Sequence, residues 1–110
     1  MGLATLVRDD EAGAARLSVT GEIDLTNVDV FDAALRALLS DSSRAVLDLR
    51  AVTHFGSTAI GALVGAHRLA GERHVAMLIR PSRIVRRVLE VTSLDATFAL
   101  ADERASGACA

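Results

Sequence analysis

A chain of 110 residues is long enough for one domain with a single core. Apolar residues make up 51% of it but aromatics only 3%, so the core must be built from Val, Leu, Ile and Ala, with Phe31, Phe55 and Phe98 as its few large pieces. The net charge of −2 argues against a nucleic-acid module driven by bulk electrostatics, and the absence of any Lys excludes P-loop, Schiff-base and receiver-type lysine chemistry.

The only cysteine, Cys109, is next to last, which leaves no disulfide framework, no zinc cluster and no prenylation box. Leu6 stands where a myristoylation signal needs Ser or Thr. No apolar run approaches the ~20 residues of a membrane span, and no signal peptide is visible. A soluble, cytoplasmic protein without membrane insertion is expected.

In chain order, Leu3 to Arg8 and Ala15 to Thr20 flank a polar turn ending in Gly13, and Leu17 and Val19 alternate with Arg16 and Ser18, so the start reads as a hairpin. Gly21 to Asp24 closes the second strand. Thr26 or Asn27 can cap a helix whose Val28, Phe31, Leu35 and Leu38 share one stripe, ending at Ser40 to Ser43. Val46, Leu47 and Leu49 suggest a strand covered on both faces. A helix follows, with Ile60, Leu63, Val64 and His67 on one face, Gly61 and Gly65 among small residues suited to close packing on a sheet, and Gly71 as its stop. Val75 to Ile79 reads as a strand that Pro81 cannot continue. Ser82 caps a third helix with an apolar stripe of Ile84, Val85, Val88 and Leu89, and Thr97 to Leu100 is a last extended segment. The alternation predicts an α/β domain over residues 1–100, with a mixed, mostly parallel β-sheet and helices packed against it. Residues 101–110 form a tail expected to be frayed or disordered.

The stretch Phe55 to Ile60 joins a strand to a helix, and a hydroxyl at Ser57 can be a helix cap, a phosphoacceptor, or both. It is no nucleophile elbow, because F-G-S-T-A lacks the second glycine of G-x-S-x-G. The spacing of His54, His67 and His74 matches no common zinc pattern, so partly buried, satisfied histidines are expected. Asp24 and Asp48 lie near strand ends, where α/β folds place sites. Arg83, Arg86 and Arg87 form a basic cluster, by default a solvated face and secondarily an anion or acidic-partner contact.

Taken together, Gly21-Glu22-Ile23-Asp24, Ala45-Val46-Leu47-Asp48-Leu49 and Val85-Arg86-Arg87-Val88-Leu89-Glu90 with Phe98 resemble, in order and spacing, the STAS domain, in particular the small bacterial anti-sigma factor antagonists. The resemblance covers nearly the whole chain. Where that family carries D-S-S/T-G, with the first Ser phosphorylated by a cognate serine kinase, this chain reads Gly56-Ser57-Thr58-Ala59. The acceptor and the second hydroxyl match. Gly56 replaces a carboxylate that could orient the acceptor or touch the kinase, and the added methyl of Ala59 could limit backbone approach by a partner.

The resemblance implies a binding protein and not an enzyme. It would antagonise an anti-sigma factor of the serine-kinase type, be switched off by phosphorylation at Ser57 (with Thr58 as the second choice), and be reset by a phosphatase. Asp24, Gly56, Ser57, Thr58 and Ile60 would form the contact surface. No catalytic residue, cofactor or metal is expected, since ATP and Mg²⁺ belong to the partner kinase, and no direct DNA contact is expected. The alternative is a STAS adaptor or scaffold, for example of an ABC-type lipid transporter, not controlled by phosphorylation.

Overall fold

The computed structural model describes residues 4–101; Cys109 and the tail lie outside the described residues. The elements run β1 (Ala4–Glu11), β2 (Ala14–Ile23), α1 (Val28–Asp41), β3 (Arg44–Phe55), α2 (Ser57–Arg73), β4 (Ala76–Pro81), α3 (Arg83–Val91) and β5 (Ala99–Leu100). They form a five-stranded sheet in the order β1-β2-β3-β4-β5. β1 and β2 are antiparallel and every later pair is parallel, as crossover helices require. The α/β expectation therefore holds. None of the helices is long and apolar enough to cross a membrane.

The hairpin closes through Ala12 and Gly13, both at positive φ (51° and 84°), the two-residue turn that matches strand twist. β2 closes within Gly21 to Asp24, as expected, ending at Ile23. Gly21 sits at φ 104° beside a register shift, so the glycine provides a bulge and the strand continues to Ile23. That extension carries the next loop to the end of β3.

One face of the sheet presents Leu17, Val19, Leu47, Leu49 and Ile79, and these join Phe31, Leu35 and Leu38 of α1, Leu63 of α2, and Val85 and Leu89 of α3 in a single core. The apolar face expected for α2 is rotated. Ala59, Leu63, Ala66 and Ala70 are its buried residues, whereas Gly61 and Gly65 are exposed with open space around them, so the close packing is done by alanines. In α3, Val85 and Leu89 are buried but Ile84 is 46% exposed.

β3 is not sandwiched between helices. Its second face carries Val46 and Asp48, covered by side-chain ion pairs: Arg16 binds Asp9 at 2.6 Å and Glu11 at 2.7 Å, Arg80 binds Glu11 at 2.6 Å, and Arg50 binds Asp48 at 2.7 Å. The nearly continuous apolar run reports burial on both sides but not what provides it. Burial works against ionisation of Asp48 more than any other single influence, yet the hydrogen bonds from the Arg50 side chain and backbone, with the nearby guanidinium charges, hold its carboxyl below the ordinary value.

Two helix and strand ends also differ from expectation. α2 runs past Gly71 to Arg73, and His74 takes the left-handed position at φ 56°, with the Val75 N–H donating to the Ala70 carbonyl at 2.8 Å. Pro81 is the last residue of β4, paired in register with Leu49, a terminal place where a missing N–H is tolerated.

Candidate functional site

The site is built where β2 and β3 end side by side. Ile23 and Phe55 are register partners, and the Gly56 N–H donates to the Ile23 carbonyl at 3.1 Å, extending the pairing one residue beyond β3. Both ends are anchored from below: Ile23 is fully buried, and Phe55 meets Phe31 of α1 edge-to-face at 6.0 Å. The rim above is therefore fixed by the core.

The loop from β2 to α1 is tied down by its own side chains. The Asp24 carboxylate accepts from the Thr26 N–H at 2.9 Å and from the Thr26 hydroxyl at 2.6 Å. Asn27 does not cap α1 with its side chain. It turns back instead, accepting from the Asp24 N–H at 2.9 Å and donating to the Glu22 carbonyl at 2.8 Å. The hydrogen bond from the Thr26 hydroxyl, with the smaller help of its backbone N–H and the nearby His54, lowers the Asp24 carboxyl from its ordinary value against the opposing effect of desolvation. Asp24 is thus an ionised, oriented group at the rim.

Ser57 is not the cap of α2. Gly56 occupies the N-cap position in extended backbone (φ −78°, ψ 176°), no side chain caps the helix, and Ser57 is its first residue. Its side chain is exposed and makes no hydrogen bond to the described residues. Thr58 and Ile60 follow half-buried, and the Ile60 N–H donates to the Gly56 carbonyl at 3.1 Å. The α-carbon of Asp24 lies 4.0 Å from where a Cβ on Gly56 would sit, so the Asp24 loop and the start of α2 lie side by side, with Ser57 and Thr58 following Gly56 and Ile60 packed in part against the core. Ala59 corrects one expectation: it is 0% exposed, so its methyl enters the core and cannot obstruct a partner.

Three further residues complete this end. Leu25 is 75% exposed and Val30 60%, both on the loop-and-helix segment that follows Asp24. Apolar residues left in water beside a polar rim suit a protein contact, but in sequence they read only as part of a loop and a helix. His54, the register partner of Glu22, holds its imidazole Nε2 3.9 Å from the Cβ position of Gly56. The sequence grouped it with His67 and His74 as a histidine expected to be partly buried and satisfied, and it is exposed instead.

The remaining candidates lie elsewhere. His67 packs edge-to-face on Phe98 at 5.2 Å, and His74 caps the far end of α2. Among the described residues no group of three or more His, Cys, Asp or Glu is placed to hold a metal. The arginine cluster of α3 is divided: Arg86 donates to the Ala101 carbonyl at 3.0 Å, while Arg83 and Arg87 face solvent.

A family model for the STAS domain matches residues 7–107. An anti-sigma-F factor antagonist, RsfB, of Mycobacterium tuberculosis is 31% identical over 97 residues, which cover 87% of this chain and 80% of RsfB. Among solved structures, an anti-sigma factor antagonist from Mycobacterium paratuberculosis superposes with a TM-score of 0.82 at 29% identity, covering 89% of this chain and 85% of that one. The antagonist SpoIIAA in its unphosphorylated form superposes with a TM-score of 0.70 at 17% identity, covering 93% of this chain and 92% of that one, a likeness that speaks to the fold alone.

Proposed function

The chain belongs to the STAS domain family, and from that premise we propose that it is an anti-sigma factor antagonist switched off by phosphorylation of Ser57. Its relatives of that name support the partner class. The observation that carries the switch is the freedom of the Ser57 hydroxyl, exposed at the first position of α2 and engaged in no capping bond.

In the unmodified state the rim of Asp24, Gly56, Ser57, Thr58 and Ile60, flanked by exposed Leu25 and Val30, docks an anti-sigma factor of the serine-kinase type and frees its sigma factor. The partner brings ATP and Mg²⁺. The Ser57 oxygen attacks the γ-phosphorus, the bond from that phosphorus to the bridging oxygen breaks to leave ADP, and the hydroxyl proton passes to a base of the kinase. The product adds about −1.5 to −2 charges to the contact surface, which disrupts the docked interface. Within the fold the phosphate is tolerated, because the first N–H groups of α2 are free and the helix dipole favours an anion there. A phosphatase resets the protein by directing water onto the phosphorus, which returns the hydroxyl and releases inorganic phosphate.

One observation favours a second reading, an adaptor or scaffold without phosphorylation: Gly56 lacks the carboxylate that the family's motif places before the acceptor. Binding to a purified kinase-type anti-sigma factor separates the two. Under the switch reading Ser57→Ala retains binding but accepts no phosphate from ATP, whereas Ser57→Asp loses binding. Equal binding by both variants, with no phosphate incorporated into the unmutated chain, would favour the adaptor.

A further inference from the structure

We propose that His54 is the residue that holds the phosphate: once Ser57 is phosphorylated, the His54 imidazole, which lies beside Gly56, donates a hydrogen bond to the phosphoryl oxygens. The inference rests on the reading of Ser57 above and extends it to how the modified state is held.

Geometry carries it. The Nε2 atom of His54 lies 3.9 Å from the position a Cβ on residue 56 would take, and Ser57 is the next residue. With glycine at 56 no side chain separates the ring from the start of α2. The imidazole itself is available, being exposed and without a hydrogen bond to the described residues. The nearest oriented carboxylate, Asp24, takes the Thr26 N–H at 2.9 Å and hydroxyl at 2.6 Å on one oxygen and interacts with His54 by charge alone, so it is the group with which a phosphate would compete.

Electrostatics point the same way. The acidic groups that the structure sets beside His54 are Glu22, its register partner on β2, and Asp24 on the following loop; the first turn of α2 has none. A phosphate carries more charge than any one of these carboxylates and has three acceptor oxygens, so it competes effectively for the single imidazole. A carboxylate at residue 56, as in the family's motif, would repel that phosphate and fill the space between it and the ring. The exchange to Gly56 and the presence of His54 therefore belong to one arrangement, in which the phosphate folds back onto its own domain.

Phosphoserine placed at position 57 by genetic encoding tests this without a kinase, so a partner that fails to phosphorylate Ser57 leaves the measurement intact. Imidazole resonances and the phosphorus signal are followed through a pH titration of the phosphorylated and unmodified chains. His54 should titrate about one pH unit higher in the phosphorylated chain, with His67 and His74 unmoved as internal controls. In the phosphorylated His54→Gln chain the second phosphate ionisation should rise towards the free phosphoserine value near about 6. Phosphorylated Gly56→Asp should show a smaller His54 shift. If His54 titrates alike in both chains, or the phosphate ionises alike with and without His54, the proposal is overturned.

Discussion

Two helices of this protein begin with almost the same backbone and opposite chemistry. The N-cap residue of α2, Gly56, has φ −78° and ψ 176°, and that of α3, Ser82, has φ −76° and ψ 172°. At α3 the serine is the cap, and its oxygen accepts from the Val85 N–H at 3.2 Å. At α2 the serine stands one residue later and caps nothing. A displacement of one position decides whether a hydroxyl is spent on the fold or left for a partner, because only the extended N-cap residue can turn its side chain back to the free N–H groups.

The comparison can be tested by stability. Ser82→Ala should destabilise the domain by about 1 kcal/mol in urea unfolding, while Ser57→Ala should stay within about 0.5 kcal/mol. A comparable loss from Ser57→Ala would mean that its hydroxyl serves the fold after all. A smaller effect of opposite sign is expected from giving α2 the cap it lacks. Gly56→Asp puts a capping carboxylate where a Cβ finds its nearest neighbour, the Ile23 carbonyl oxygen, at 3.7 Å, an ordinary contact. A gain of a few tenths of a kcal/mol follows, read as a rise in the urea midpoint; a fall would mean that repulsion from Asp24 outweighs the cap.

The smallest effect concerns acid. Because the folded pKa of Asp24 is depressed, the stabilisation it contributes is fully present above the unfolded value near about 3.9 and is lost as pH falls through the lower folded value. As pH falls through that lower folded value the Thr26 amide should therefore lose its protection from hydrogen exchange and its shifted resonance, while the Val85 amide, held by an uncharged serine, should not respond through its own cap. Simultaneous loss at both amides would indicate global unfolding and remove the distinction between the two helix starts.

Much of this was legible in the residues. The alternation of Leu17 and Val19, the stripe of Phe31, Leu35 and Leu38, and the serine cap at Ser82 each state a local rule that the fold obeys. The misreadings fall where one residue satisfies two local rules. Gly71 could end a helix, yet His74 does, in the left-handed position from which its N–H and that of Val75 reach back to the Gly71 and Ala70 carbonyls. Asn27 could cap α1 with its side chain, yet holds the Asp24 loop instead. His54 and Leu25 carried no motif, since their significance comes from what lies beside them.

The loop from Phe55 to Ile60 divides the same way. Sequence alone determined that a hydroxyl stands at a strand-to-helix junction in an α/β domain, because periodicity and turn chemistry are local properties of the chain. Only the tertiary structure decided that Gly56 and not Ser57 takes the N-cap position, that the methyl of Ala59 is buried, and that His54 and the Asp24 loop meet beside Gly56. Those outcomes depend on the register between β2 and β3, and register is set by packing the whole sheet against one core.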